Sequence, residues 1–266
     1  MNPSTMPPLG LGTWELTGDT CVDAVAAGIE MGYRHIDTAQ MYGNESDVGD
    51  GIARADIDRD QLWVTTKLDN HNHAPDKVIA STEDSLRRLG LDRLDLLLIH
   101  WPVELDDLEE TLEAMQELAD RDLVANLGVS NFTSEQLRRA GEAARVVVDQ
   151  VEYHALLDQS TLLETTRDMG ITLTAYSPLA RGTLLTHPVV TNIAGARSTG
   201  PAQIALRWLL DQDGVAVIPK ASSPEHLRSN LEALDMEPLS TNDRAALDDL
   251  PKDQRVIDPP FAPDWD

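Results

Sequence analysis

Three short apolar runs each deliver a side chain that can do acid–base chemistry. Asp37 closes the run Arg34–Asp37, Lys67 follows Leu62–Thr66, and His100 follows Leu94–Ile99. A tyrosine, Tyr42, sits in the polar turn beyond Asp37, just before a helical stretch that Asn44 is placed to cap. In a parallel α/β protein the carboxyl ends of strands and the loops that follow them are where active-site groups lie. A phenol with a reference pKa near ~10 is a poor acid at neutral pH, and a nearby ammonium favours the phenolate and lowers that value. Lys67 is the candidate ammonium, Asp37 the group that keeps it charged and aimed, and His100 a group to orient a carbonyl or relay a proton. Such a set suits a reaction that builds negative charge on an oxygen, for example hydride addition to a carbonyl. Taken singly, each residue also has a structural reading: a capping acid, a loop aromatic, a solvated strand end, a core histidine. Their placement at successive strand ends argues for the chemical one.

The elements that would position these residues alternate along the chain. Strands are predicted at Leu9–Thr13, Arg34–Asp37, Leu62–Thr66, Leu94–Ile99, Val124–Val129, Val146–Val151, Thr172–Ala175 and Val215–Ile218. Helices are predicted between them at 20–31, 45–55, 76–89, 107–120, 134–144, 158–169, 200–211 and 224–234. In the fourth helix Leu108, Leu112, Met115 and Ala119 recur on one face. Pro75, Ser134, Gly170 and Pro224 mark helix boundaries. Eight alternating pairs point to a single-domain (β/α)8 TIM barrel spanning residues 1–266, without a Rossmann domain. A doubly wound sheet fits the same alternation. Against it, Gly10 and Gly12 begin a Gly-x-Gly-x-x-Gly fingerprint, but Glu15 stands where its third glycine belongs.

The 266-residue chain carries 46 Asp and Glu against 21 Lys and Arg, a net charge of −25, and lysine occurs only at Lys67, Lys77, Lys220 and Lys252. This surface repels nucleic acid and anionic membranes, so neither is expected as a partner. The single cysteine, Cys21, allows no internal disulfide and fits a reducing cytoplasm. No run approaches the ~20 apolar residues that span a bilayer, and Met1 to Gly10 lacks the basic and apolar regions of a secretion signal. A cytoplasmic protein is expected. The pair His71 and His73 lacks a third ligand, so no metal is expected.

Several segments resemble the aldo-keto reductase family, in its order and over nearly the whole chain: Leu9-Gly-Leu-Gly-Thr-Trp14, Gly32–Gly49, Trp63-Val-Thr-Thr-Lys67, Leu97-Leu-Ile-His-Trp-Pro102, Gly128-Val-Ser-Asn-Phe132, Gln150-Val-Glu-Tyr-His154, Ala175-Tyr-Ser-Pro-Leu179 and Ile218-Pro-Lys220. The compact loops resemble the microbial diketogluconate reductase branch. The resemblance implies NADPH bound in extended form across the barrel mouth, and Asp37, Tyr42, Lys67 and His100 as a catalytic tetrad with Tyr42 as proton donor. It implies Ser130, Asn131 and Gln150 on the nicotinamide carboxamide, Tyr176 stacked on the ring, and Ser177 and Leu179 along the pyrophosphate. It places Thr13 and Trp14 at the nicotinamide edge, Lys220, Ser222 and Asn230 toward the adenosine end, and Trp14 and Trp101 around the substrate. Phe261 and Trp265 of the tail are candidates for further apolar walls.

Two positions depart from the family pattern. Ala221 stands where Ser or Thr is usual, and His226 replaces the arginine that would pair the 2′-phosphate of NADPH. Arg228 is an imperfect substitute, since two residues along a helix turn the side chain by ~200°, so NADH is a possible second cofactor. Asn126 also replaces a longer residue, with no functional consequence attached. The expected activity is reduction of small aldehydes, 2-oxoaldehydes or keto-sugars by a monomer. The alternatives are a nucleotide-binding regulatory subunit with little turnover, and Schiff-base chemistry on Lys67, which a lysine held charged by Asp37 serves poorly.

The acid excess has a consequence of its own. Charge repulsion of this size is best tolerated in molar salt, where the Debye length falls from ~10 Å at 0.1 M to ~3 Å at 1 M. The apparent Tm is therefore expected to drop on transfer from molar KCl to dilute buffer; equal Tm values in the two would contradict adaptation to salt.

Overall fold

The computed structural model describes residues 5–103 and 105–266. Eight parallel strands pair in sequence order: β1 (Leu11–Gly12), β2 (His35–Asp37), β3 (Trp63–Leu68), β4 (Leu96–Ile99), β5 (Leu127–Ser130), β6 (Val146–Glu152), β7 (Thr172–Tyr176) and β8 (Val215–Val217). Bridges Leu9↔Val217 and Gly12↔Lys220 join the last strand to the first and close the barrel. A Cβ at Gly12 would stand 2.7 Å from the Ile218 carbonyl oxygen, so glycine is what lets the two chain segments meet there.

Helices α1 (Gly18–Met31), α2 (Glu45–Arg54), α3 (Pro75–Leu89), α4 (Leu108–Asp120), α5 (Ser134–Ala143) and α6 (Ser160–Met169) follow the first six strands. Then come α7 (Pro188–Arg197), α8 (Pro201–Leu210), α9 (Pro224–Asp235) and α10 (Thr241–Asp248). The (β/α)8 expectation holds, and every predicted strand and helix is found within a few residues. Lys67 lies inside β3 rather than after it, because the β3–β4 ladder runs on to Leu68 and Ile99. Helices α7 and α10 were not anticipated. Val190, Ile193 and Ala194 are the buried residues of α7 and Leu247 that of α10, too few apolar positions to show a clear period.

The expected boundary residues divide by chemistry. Pro75 and Pro224 open α3 and α9, and Gly170 ends α6 in the left-handed conformation at φ 66°. The cap of α5 is Thr133, one residue before Ser134, in a reciprocal capping box with Gln136. Asn44 holds the N-cap position of α2, but its side chain makes no capping bond. Its amide donates instead to the carbonyls of Thr13 and Leu16, and its oxygen accepts from the Thr38 hydroxyl.

Alternation along each strand separates two cores. One set of strand side chains packs with the helices. The other set includes Trp63, Leu96, Leu98 and Val148, which form a separate cluster. His35 sits in the same layer, hydrogen-bonded to Thr65, and burial pushes its pKa down to about 4. Because side chains repeat every second residue, Asp37, Lys67, His100 and Gln150 fall in phase with His35, Thr65, Leu98 and Val148. They form the next layer up, at the carboxyl ends of the strands. Cys21 is buried in α1, away from that layer, with its thiol pushed up to about 12 by burial.

Candidate active site

The upper layer opens into a cavity of about 700 Å³, within the size range of small-molecule sites. At its base Lys67, with no exposed side-chain surface, donates to three oxygens: Asp37 Oδ1 at 2.5 Å, the Thr38 carbonyl at 2.9 Å and the Tyr42 hydroxyl at 3.3 Å. These three acceptors satisfy the ammonium's three protons. Burial alone would discharge Lys67, but the charge of Asp37 and the phenol of Tyr42 more than offset it, and its pKa ends above the ordinary value. The other Asp37 oxygen accepts from Gln150 Nε2 at 2.7 Å, and Thr13 Oγ1 donates to the Asp37 carbonyl.

Tyr42 shows where the electrostatics differ from expectation. Burial raises its pKa and Lys67 lowers it, and the net direction is upward. The ammonium therefore offsets the penalty of placing a phenol in a dry wall, rather than making the free phenol more acidic than ordinary tyrosine. Its hydroxyl remains a proton-bearing donor with a cation 3.3 Å away, ready to stabilise the oxygen once the proton leaves. His100 meets Tyr42 edge to face at 5.6 Å, and burial, aided by Lys67, holds its pKa well below 6.5. It is a neutral imidazole.

Beside this set runs a chain of amides and hydroxyls. Tyr176 donates to Asn131 Oδ1 at 2.7 Å, Asn131 Nδ2 donates to the His100 carbonyl and to Ser130 Oγ, and Ser130 donates to the Gln150 carbonyl. Asn131 adopts φ 65°, a left-handed conformation that asparagine tolerates better than most residues. Asn131, Gln150 and Tyr176 line the cavity, as do Thr13, Trp14, Ser177, Leu179 and Lys220. Ser130 lies behind them, buried. Ser222 is exposed after β8, and Asn230 is buried on α9 against the Tyr33 phenol; neither lines the cavity. His226 and Arg228 are both exposed on the first turns of α9, with the His226 amide bonded to the capping Ser223. Asn126 donates to the Asp95 carbonyl at the opposite end of the barrel.

Aromatic side chains form the remaining wall. Trp14 packs edge-on to Tyr42 at 5.0 Å, and Trp101 stacks beside His100. Phe261 and Trp265 both reach Trp101, at 5.4 and 6.2 Å, so the tail does fold over the mouth. What holds the tail was not visible in the sequence. Glu152, buried at the end of β6, accepts the amides of Val256 and Ile257 at 2.7 Å each. Asp266 accepts from Ser134 at the start of α5, and Arg255 stacks on the Trp265 ring at 3.7 Å. A second hidden network centres on Glu45 of α2, which accepts from Thr66 of β3 and from Arg88 of α3. The only sequence signal for either acid is its position beside a motif residue. Among the described residues no group of three or more His, Cys, Asp and Glu is placed to hold a metal ion, and His73 bonds the Val103 carbonyl.

A model of the aldo/keto reductase family matches residues 8–252. The chain belongs to that family. It is 36% identical over 267 residues to a methylglyoxal reductase of Escherichia coli O157:H7, with 98% of this chain and 99% of the relative covered. A solved putative 2,5-diketo-D-gluconic acid reductase B superposes with a TM-score of 0.96 at 36% identity, covering all of this chain and 95% of that one. A Bombyx mori aldo-keto reductase solved in complex with NADP gives 0.88 at 35% identity, with coverage of 96% and 92%. This family member is an NAD(P)H-dependent oxidoreductase that reduces aldehydes or ketones to alcohols. Among the described residues no helix is long and apolar enough to cross a membrane.

The site's titrating groups set its pH response. His100 is already neutral and Tyr42 still protonated across the neutral range, so kcat/KM for carbonyl reduction should run flat through 6.5, the ordinary histidine value. An inflection there in the rate profile would contradict a neutral His100.

Proposed function

We propose that the chain is an NADPH-dependent reductase of small aldehydes and 2-oxoaldehydes, with Asp37, Tyr42, Lys67 and His100 as its catalytic groups. The observation that carries this reading is the placement of the Lys67 ammonium between Asp37 and the Tyr42 hydroxyl, at the base of the cavity. The cavity suits a dinucleotide. Lys220 and Arg181 line one side of it, while the flat ring of Tyr176 and the amides of Asn131 and Gln150 lie nearer Tyr42. Thr13, Trp14, Ser130, Asn131, Gln150 and Tyr176 would hold the nicotinamide end, Ser177 and Leu179 the pyrophosphate, and Lys220, Ser222 and Asn230 the adenosine end. The cofactor would supply a hydride to the carbonyl carbon.

The chain's own residues do the rest. His100 and Tyr42 orient the carbonyl oxygen, and Tyr42 gives it a proton as negative charge develops. Lys67 holds the phenolate so formed, and Asp37, fixed by Gln150, keeps Lys67 charged and in place. Water is thinned from the oxygen by Trp14, Trp101 and the tail. The methylglyoxal activity named for the Escherichia coli relative supports a 2-oxoaldehyde as one substrate. The reading is of a monomeric enzyme formed by one barrel domain. Its one cysteine supports a cytoplasmic site of action, and its acid excess supports work in molar salt.

The test is steady-state reduction of methylglyoxal in molar KCl with each cofactor. Tyr42→Phe should bind NADPH normally yet lose about 10²-fold or more in kcat; wild-type kcat would remove the proton-donor role. Wild-type kcat/KM should favour NADPH, supported by Lys220, though by less than an arginine at position 226 would give. A strong preference for NADH would contradict the cofactor assignment.

A further inference from the structure

We propose that the site selects uncharged carbonyl compounds and discriminates against those carrying a carboxylate near the carbonyl. This rests on the reductase reading above and narrows its substrate class. The argument is one of charge placement. Among the described residues two cationic side chains with exposed surface line the cavity, and both belong to its β7–β8 side: Arg181 in the turn after β7, and Lys220 just beyond β8. That side is where the dinucleotide phosphates would lie, so these charges are claimed by the cofactor.

Around Tyr42 the surroundings are different. Trp14 stands 5.0 Å away and His100 5.6 Å, with Trp101 behind His100 and Phe261 on Trp101. Val256 and Ile257 of the tail, held by Glu152, add aliphatic surface to the cavity. Lys67 is the cation bonded to Tyr42, and it is paired with Asp37 at 2.5 Å with no exposed side-chain surface. Arg255 lies on the Trp265 ring near Tyr176, faces the carboxylates of Glu152 and Asp258, and does not line the cavity.

The rim on this side carries acids. Glu15 follows Trp14, and Asp258 accepts from the Trp265 indole at 2.9 Å; both line the cavity. A carboxylate bound beside the reacting carbonyl would lose water against aromatic and aliphatic walls, gain no ion pair, and face two like charges. Burying an unpaired charge is costly, whereas an aldehyde, a 2-oxoaldehyde or an uncharged sugar meets no such penalty. A sugar acid of the kind named for the diketogluconic acid reductase neighbour would therefore be a poor substrate here.

The experiment compares two probes of one skeleton, 4-carboxybenzaldehyde and its methyl ester, with NADPH in molar KCl. The ester should show a kcat/KM at least about tenfold above the acid, a lower bound because the open mouth leaves the carboxylate part of its water. Phe261→Arg, which adds a cation to the same wall, should shrink that ratio. An acid reduced as well as the ester, or better, overturns the proposal while leaving the reductase reading intact. A ratio unmoved by Phe261→Arg counts against the charge argument. Failure to reduce either probe or methylglyoxal overturns the reductase reading and this inference with it.

Discussion

A single buried ion pair organises the proposed active site. Lys67 and Asp37 come from adjacent strands, both fully enclosed, and each is useful only because of the other. A lysine in that position without a carboxylate would give up its proton, and the carboxylate without the ammonium would be an unpaired buried charge. Breaking such a pair costs about 3–5 kcal/mol, so the barrel must keep both or neither. Keeping both places a permanent cation beside Tyr42 at the one level of the barrel where the interior opens. The surrounding bonds, from Gln150 to Asp37 and from Lys67 to the Thr38 carbonyl, leave that cation little freedom to move.

The pair also explains an apparent conflict in the tyrosine. A phenol in a dry wall loses acidity, while a cation 3.3 Å away restores some of it. The useful effect is differential. The protonated phenol gains little from the ammonium and the phenolate gains much, so stabilisation grows as the proton departs. A site built this way needs no free tyrosine that is acidic in absolute terms. It needs a fixed charge and a low local dielectric, which the aromatic wall of Trp14, Trp101 and the tail provides.

Much of this was legible in the sequence because it depends on strand ends. Alternation places Asp37 and Lys67 on the barrel interior, and the end of β4 delivers His100, so identity and position carried the reading. Where contacts depend on long-range docking the sequence was silent. Nothing near Glu152 announces that it will hold two tail amides roughly a hundred residues on, and nothing near Glu45 announces Arg88. Asn44 takes the cap position its type suits, yet its side-chain oxygen, the atom a cap uses, accepts from the Thr38 hydroxyl instead. Helices α7 and α10 escaped because their buried faces are only a few residues wide. The sign of the tyrosine shift was hidden too, since it turns on burial, which spacing does not report.

The most direct test of the ion pair's role is the ionisation of Tyr42 itself. The chain has four tyrosines, so ring-carbon NMR of protein labelled at tyrosine can follow each one, with Tyr42→Phe identifying the signal. The account predicts that Tyr42 ionises at lower pH in the wild type than in Lys67→Met, both held folded in molar salt. An equal or lower ionisation pH in the variant would show that the ammonium does not act on the phenol, and the central claim would fail.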